Sequence, residues 1–240
     1  MSKAEEYVER VFVAVNAGGN GPIATALAER CGIGDDDIQA IIAKIAPARA
    51  AYGRMDQASA ALDEITQTFK VKLTGIADDL SAVRRALNDN FDRSDPIYKD
   101  LGLTADTPQA QEELLGFAET VFTNGKNLEA GRYPLLAKRK WDTARFTAAL
   151  AQVAAARSAN IDQEAAKGQS LAATSAFYDA VDALDELFRP FAKNARSNLA
   201  DVPGALTEMR LADGLPVKPQ RPVPAANRKP AAPATPAAAN

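Results

Sequence analysis

The chain has no histidine, one cysteine and one tryptophan among its 240 residues, and only 6% of it is aromatic. Without histidine there is no imidazole general base, no Ser-His-Asp triad and no histidine metal ligand. The helical di-iron centres built on Glu-x-x-His are excluded for the same reason. A lone Cys31 forbids an internal disulfide and a cysteine zinc site, and fits a reducing compartment. Excess positive charge is missing too: 28 Lys+Arg face 31 Asp+Glu, a net charge of −3. That balance argues against a dedicated nucleic-acid binder. No apolar run approaches the roughly 18 residues that span a bilayer. The first residues, MSKAEEYVER, carry acids where a signal peptide has bases and then an apolar stretch. A cytoplasmic location is expected, with signal-independent export as the alternative.

What is abundant is alanine, 51 residues of it. Alanine is the best helix former and lets helices approach closely. Alternating β-branched runs are absent, so the sequence predicts an all-α fold.

One long periodic signal runs from Ile38 to Leu87. Ile38, Ile45, Tyr52, Ser59, Thr66, Leu73, Leu80 and Leu87 recur every seven residues, as do Ile41, Ala48, Met55, Leu62, Phe69, Ile76 and Val83. Only Ser59 and Thr66 are polar. Interleaved at three and four residues, the two sets form the a/d seam of a heptad helix. Asp35, Asp36 and Asp37 suit its positive end. Pro47 either kinks it or marks its true start, and Asp95-Pro96 closes it. A second long helix is expected from Asp142 to Leu199. Phe146, Ala149, Val153 and Ala156 begin its stripe; Phe177, Val181, Leu184, Phe188 and Phe191 continue it. Its middle places Asn160, Gln163, Lys167 and Ser170 where the seam should fall. A register shift through Ile161, Ala165 and Gly168 recovers an apolar stripe, and Pro190 should kink the last turns.

The two halves echo one another. At an offset of 108 residues Ala48-Arg49 meets Ala156-Arg157, Phe69 meets Phe177, and Asn90 meets Asn198. Upstream, Glu9-Arg10-Val11-Phe12 resembles Glu119-Thr120-Val121-Phe122, and Leu27-Ala28-Glu29-Arg30 resembles Leu136-Ala137-Lys138-Arg139. These recurrences predict a duplication. Each unit would be two short helices and one long one, and the whole an elongated helical bundle with a pseudo-two-fold. The expected divisions are 1–103 for the first unit, 104–211 for the second and 212–240 for a disordered tail. Half of the chain's 14 prolines fall in that tail, which is basic and has no apolar periodicity. It reads as a solubilising linker with polyproline II character, or as an arm toward an acidic partner.

Few residues suggest chemistry. The acid groups Asp78-Asp79, Asp185-Glu186 and Asp35-Asp36-Asp37 read as helix caps and solvated faces rather than as catalytic or cation sites, because adjacent helical residues do not face one way. The run from Asn16 to Pro22 is glycine-rich but lacks a phosphate-loop pattern, and reads as a turn. Cys31 reads as a small buried apolar residue. Lys138, Arg139, Lys140 and Trp141 are the best candidate for an anionic partner; the alternative is a solvated helix end with Trp141 capping the core. Asn160, Gln163, Lys167 and Ser170 are either a polar layer that sets register or a face for another chain. No catalytic residue, cofactor or metal is expected.

The closing segments, DPIYKDLGL and DVPGALTEMRLADGLPVKPQRPVP, follow a pattern of Ala-rich helix, Pro turn, LGL-like end and Pro/Ala tail. In this the chain resembles a set of uncharacterised bacterial Ala-rich helical proteins. Ala212-Asp213 interrupts the pattern in the second half. The resemblance carries no established activity, so it transfers no catalytic residue; it implies a bacterial, non-enzymatic helical protein. The sequence therefore points to a structural or protein-interaction role, with another protein or a second copy as partner. A membrane-active role, through rearranging amphipathic helices, is the alternative.

Overall fold

The computed structural model describes residues 3–128 and 133–222. Among the described residues eight helices follow one another: α1 (Lys3–Gly18), α2 (Gly21–Cys31), α3 (Asp35–Asn88), α4 (Pro96–Leu101), α5 (Gln111–Asn127), α6 (Pro134–Lys138), α7 (Thr143–Asn198) and α8 (Ala205–Glu208). Among the described residues there is no strand. The all-α expectation holds.

Both long helices form. α3 has 54 residues and α7 has 56, and each carries an internal proline. Pro47 does not break α3, and Pro190 does not break α7. Both prolines are exposed, so water can serve the carbonyl each leaves without a donor. Gly168 likewise lies within unbroken α7.

The chain folds into two compact units, the first built from two separate stretches of sequence and the second from one. Among the described residues, one takes in those up to residue 54 and from 173 to 222, and the other those between 55 and 172. Each long helix thus contributes its start to one unit and its end to the other.

In the first unit, α1 and α2 pack on the start of α3 and the end of α7. The core is built by Tyr7, Val11, Val15, Leu27, Ile41, Ile45, Phe177, Leu184, Phe188 and Phe191, with Met209 and Leu211 closing it. Arg49 clamps α3 to α1 by a bidentate pair with Glu9 at 2.8 Å, its guanidinium 4.3 Å over the Phe12 ring.

In the second unit, α4, α5 and α6 pack on the end of α3 and the start of α7. Its core joins Phe69, Ile76, Leu80, Val83, Leu115, Phe122, Trp141, Phe146 and Val153. Arg157 pairs with Glu119 at 2.6 Å. Asp79 meets Arg145 while Thr66 meets Gln163, so α3 and α7 run antiparallel here.

The element order repeats. α1 and α5 start at Lys3 and Gln111, and α3 and α7 at Asp35 and Thr143, both pairs 108 residues apart. The closing turns repeat as well. Leu103 donates its N–H to the Tyr98 carbonyl at 2.8 Å, and Leu211 to the Leu206 carbonyl at 2.8 Å. This is the long-range bond of a Schellman cap, which needs a left-handed residue just before it. Gly102 supplies it in one case with φ 80°, Arg210 in the other with φ 52°.

Residues 212–222, grouped by composition with the tail, do not leave the fold. They lie along α7 in the first unit, and Pro216 is buried. The remainder of the expected disordered segment, 223–240, is outside the described residues.

Candidate functional site

The residues that sequence reasoning favoured lie in the second unit. Lys138, Arg139 and Lys140 are exposed at the end of α6. Lys140 takes φ 66° there, and Trp141 donates its N–H back to the Leu136 carbonyl at 3.1 Å. The cluster therefore forms a helix stop. Trp141 is only 6% exposed and belongs to the core: its ring stacks on Phe122 at 6.2 Å and meets Phe146 at 5.1 Å. The cation over it is Arg145, at 5.2 Å, and not a member of the basic run.

The second set shares one face of α7 but is unevenly covered along it. Gln163 is 8% exposed and donates Nε2–H to Thr66 Oγ1 at 2.9 Å. It joins the two long helices and cannot meet another chain. Thr66 is one of the two polar seam positions of α3, so the polar layer has its partner built in. Asn160 bonds Glu112 Oε1 at 3.0 Å, and Lys167 pairs with Glu164 on its own helix at 2.6 Å. Ser170 is half-buried. The exposed apolar residues of this stretch are Ile161 and Leu171, at 70% and 72%.

The richest polar constellation is in the first unit, where residues 215–222 cross α7 beside α1. Asp179, Asp182 and Asp185 stand three residues apart on α7, so they form one gently winding ridge. Lys218 reaches Asp182 at 2.6 Å and Asp185 at 3.9 Å. Arg221 pairs with Asp179, approaches Asp182 at 3.9 Å, bonds Ser175 Oγ at 3.4 Å, and lies 5.8 Å over the Tyr178 ring. Pro216, Pro219 and Pro222 favour a polyproline II segment here, whose three-residue step of about 9 Å separates the two cations; their nearest partners, Asp182 and Asp179, lie about 4.5 Å apart along the helix axis, and each cation also approaches a second carboxylate at 3.9 Å. Clefts of about 560 Å³ and 530 Å³ flank the segment, one toward Tyr178, Asp182 and Arg189, the other toward Lys3, Glu6, Tyr7 and Arg10.

Asp185 anchors the floor. Tyr7 Oη donates to its Oδ1 at 2.7 Å, and Arg189 holds both its oxygens at 3.0 and 3.2 Å. Burial pushes this carboxyl up, but the bonds from Arg189 and Tyr7 and the charges of Arg189 and Lys218 outweigh it, and the group sits below the usual aspartate range. Burial first, and then the bond to Asp185, pushes the Tyr7 phenol far above the ordinary tyrosine value. The site is therefore a fixed anion beside a neutral phenol, which suits holding cations and gives nothing to move a proton near neutral pH.

Asp185 belonged to a pair that sequence reading assigned to a solvated face. The signal for the site was a double one: acids at 179, 182 and 185, and a P-x-K-P-x-R-P segment from Pro216 to Pro222 with the same three-residue step. Neither half is specific alone. Cys31 is not part of any such site; it is half-buried, its thiol is pushed up by burial, and Sγ lies 3.8 Å from the Asn194 carbonyl. Among the described residues no three acidic or sulfur ligands converge on a metal position. Nor is any single helix among them long and apolar enough to cross a membrane.

Comparison of the chain with protein-family models, curated proteins and solved structures finds no match in any of the three.

Proposed function

We propose that this chain is a non-enzymatic interaction protein that holds extended segments of polypeptide on the α1–α7 face of its first unit. One observation carries the reading: that face already holds such a segment, residues 215–222, through two cation–carboxylate steps and a buried proline. Folded domains read proline-rich segments in aromatic-lined grooves, and here Tyr178 lies under Arg221 at 5.8 Å. The site offers no proton-transfer group poised near neutrality, which fits binding better than turnover. We also propose that the matched element order and closing turns descend from a duplication, and we assign the protein to the cytoplasm on its composition.

The test uses the full chain with Lys218→Glu and Arg221→Glu, which turns both ion pairs of the segment repulsive. An array of basic proline-rich, acidic and amphipathic helical peptides is presented to this variant and to the wild-type chain. The interaction reading expects at least one class to bind the variant more strongly. If no class distinguishes the two proteins, the reading fails.

A further inference from the structure

The segment seated on α7 describes its own replacement. Its ion pairs involve carboxylates and cations that are one third to two thirds exposed, and such pairs are individually weak. Lys218 and Arg221 are held by charge, by one hydroxyl and by the Tyr178 ring, all of which accept any chain that presents cations at the same step. The short connection from the buried Leu211 passes through Gly214 at φ 119°, a conformation that glycine adopts freely. The segment is thus tethered close to its seat and, apart from the buried Pro216, held there by exposed pairs.

From this we infer that the acidic ridge Asp179, Asp182 and Asp185, with Tyr178 and Tyr7, is a receptor for a basic proline-rich segment of another protein, and that residues 215–222 are its built-in competitor. The inference rests on the interaction reading above and deepens it by naming the ligand class. The charges decide the class. An acidic peptide would meet three carboxylates, while a purely apolar one would leave Asp179 and Asp182 without partners. A proline-rich segment also arrives already extended, so little conformational entropy is lost on docking. The competitor sets a threshold: a tethered ligand acts at an effective concentration in the millimolar range, so only a partner that binds more tightly, or carries several such motifs, displaces it.

The probe is a labelled peptide with the sequence of residues 215–222, LPVKPQRP, followed by fluorescence anisotropy. It is titrated into the wild-type full chain and into the Lys218→Glu, Arg221→Glu full chain, with helicity checked by circular dichroism. With the competitor's charges reversed, the probe should bind about tenfold more tightly than to wild type, as removal of a tethered competitor requires. A probe with both cations changed to Glu should bind the opened chain about tenfold more weakly, and added salt should weaken the unmodified probe because exposed charges are screened. Should the double variant lose helicity, Lys218→Ala with Arg221→Ala opens the site without adding charge, and the same differences are expected. Equal binding to the wild-type and opened chains overturns the inference, as does equal binding of the two probes. A concentration-dependent dimer of the wild-type chain that Lys218→Glu and Arg221→Glu abolish also overturns it, since the occupant would then be a second copy. If the peptide array yields a different class while this probe fails, the interaction reading survives and the inference does not.

Discussion

Helix starts recur at a 108-residue offset across the chain, but only the first unit carries the acidic ridge. At the 108-residue offset that aligns α3 with α7, the positions matching Asp179, Asp182 and Asp185 are Val71, Thr74 and Ala77, and Tyr178 matches Lys70. The second unit therefore packs its end of α3 with no acidic row and no aromatic on that face. Val71 stands there 61% exposed. Asp185 also supports the fold through Tyr7 and Arg189, whereas Asp179 and Asp182 pair with the seated basic segment. The cores teach the complementary lesson. Phe69 and Phe177 are buried at 1% and 0% at equivalent places, and Arg49 and Arg157 each clamp a short helix to a long one. What recurs is packing; what differs is surface chemistry.

The largest effect should come from the shared part. Truncation of a buried Phe to Ala costs about 3–5 kcal/mol. Phe177→Ala should cost more than Phe69→Ala, because the Phe177 ring also meets Tyr52 at 5.8 Å and Tyr178 at 5.2 Å. Equilibrium denaturation of the two variants measures this, and equal losses would say that the extra ring contacts contribute nothing. Gly125→Ala tests the closest approach. A Cβ there would lie 2.4 Å from the Phe146 ring, which is itself locked in the core, so a loss of about 2–3 kcal/mol is expected. Gly18→Ala in the first unit meets the side-chain ends of Leu27 and Phe191 at 3.1 Å and of Met209 at 3.4 Å, and should cost less. If Gly18→Ala proves the costlier, the first unit has the tighter core.

Much of this was legible before any coordinates. The heptad seam placed α3 to within a few residues, because apolar spacing is written directly in the sequence. The fate of Pro47 was not, since an exposed proline on the solvent side of a packed helix costs less than its propensity suggests. Trp141 could be read two ways because periodicity does not say which neighbour a ring meets. Asn160, Gln163, Lys167 and Ser170 share one helix face by their spacing, and spacing does not say how far along the helix that face is covered: Gln163 is buried, Asn160 and Ser170 are half-buried and Lys167 is exposed. The ridge was missed for a plainer reason: it needs α7 and residues 215–222 side by side, and no local signal joins positions about forty residues apart.

The Tyr7–Asp185 pair has no counterpart at the matching place on α3, so its pH dependence isolates the first unit. Tyr7→Phe should cost about 1.5 kcal/mol at neutral pH, the low end for a bond to a charged group, because Arg189 still pairs with Asp185. Asp185 sits lower in the folded chain than unfolded. Its contribution is therefore present above about pH 3.9, the unfolded value, and is lost as pH falls through the lowered folded value. Tyr7 sits higher when folded, so its contribution is present below about pH 10 and fades as pH rises beyond that. The gap between wild type and Tyr7→Phe should thus be widest between those limits and narrow on both sides. A gap that stays constant with pH would show that the phenol contributes by packing alone.

The smallest expected effect runs in the opposite direction. Left-handed turns close helices in both units, but the residue types differ. Gly32 at φ 66° ends α2, and 108 residues later Lys140 takes the same φ at the end of α6. Gly102 and Arg210 repeat the contrast after α4 and α8. A side chain at such φ costs about 1–2 kcal/mol, part of which is offset because a side chain also restricts the unfolded chain. Lys140→Gly and Arg210→Gly should therefore each stabilise the protein by about 0.5–1 kcal/mol, and thermal unfolding reads the gain. At Lys140 the result bears on function too. If Lys140→Gly stabilises, the cation is retained at a cost to folding, which is what a contact with an anionic partner would require. If stability is unchanged or falls, the aliphatic stem of Lys140 offsets the strain, and the basic cluster is explained as a helix stop.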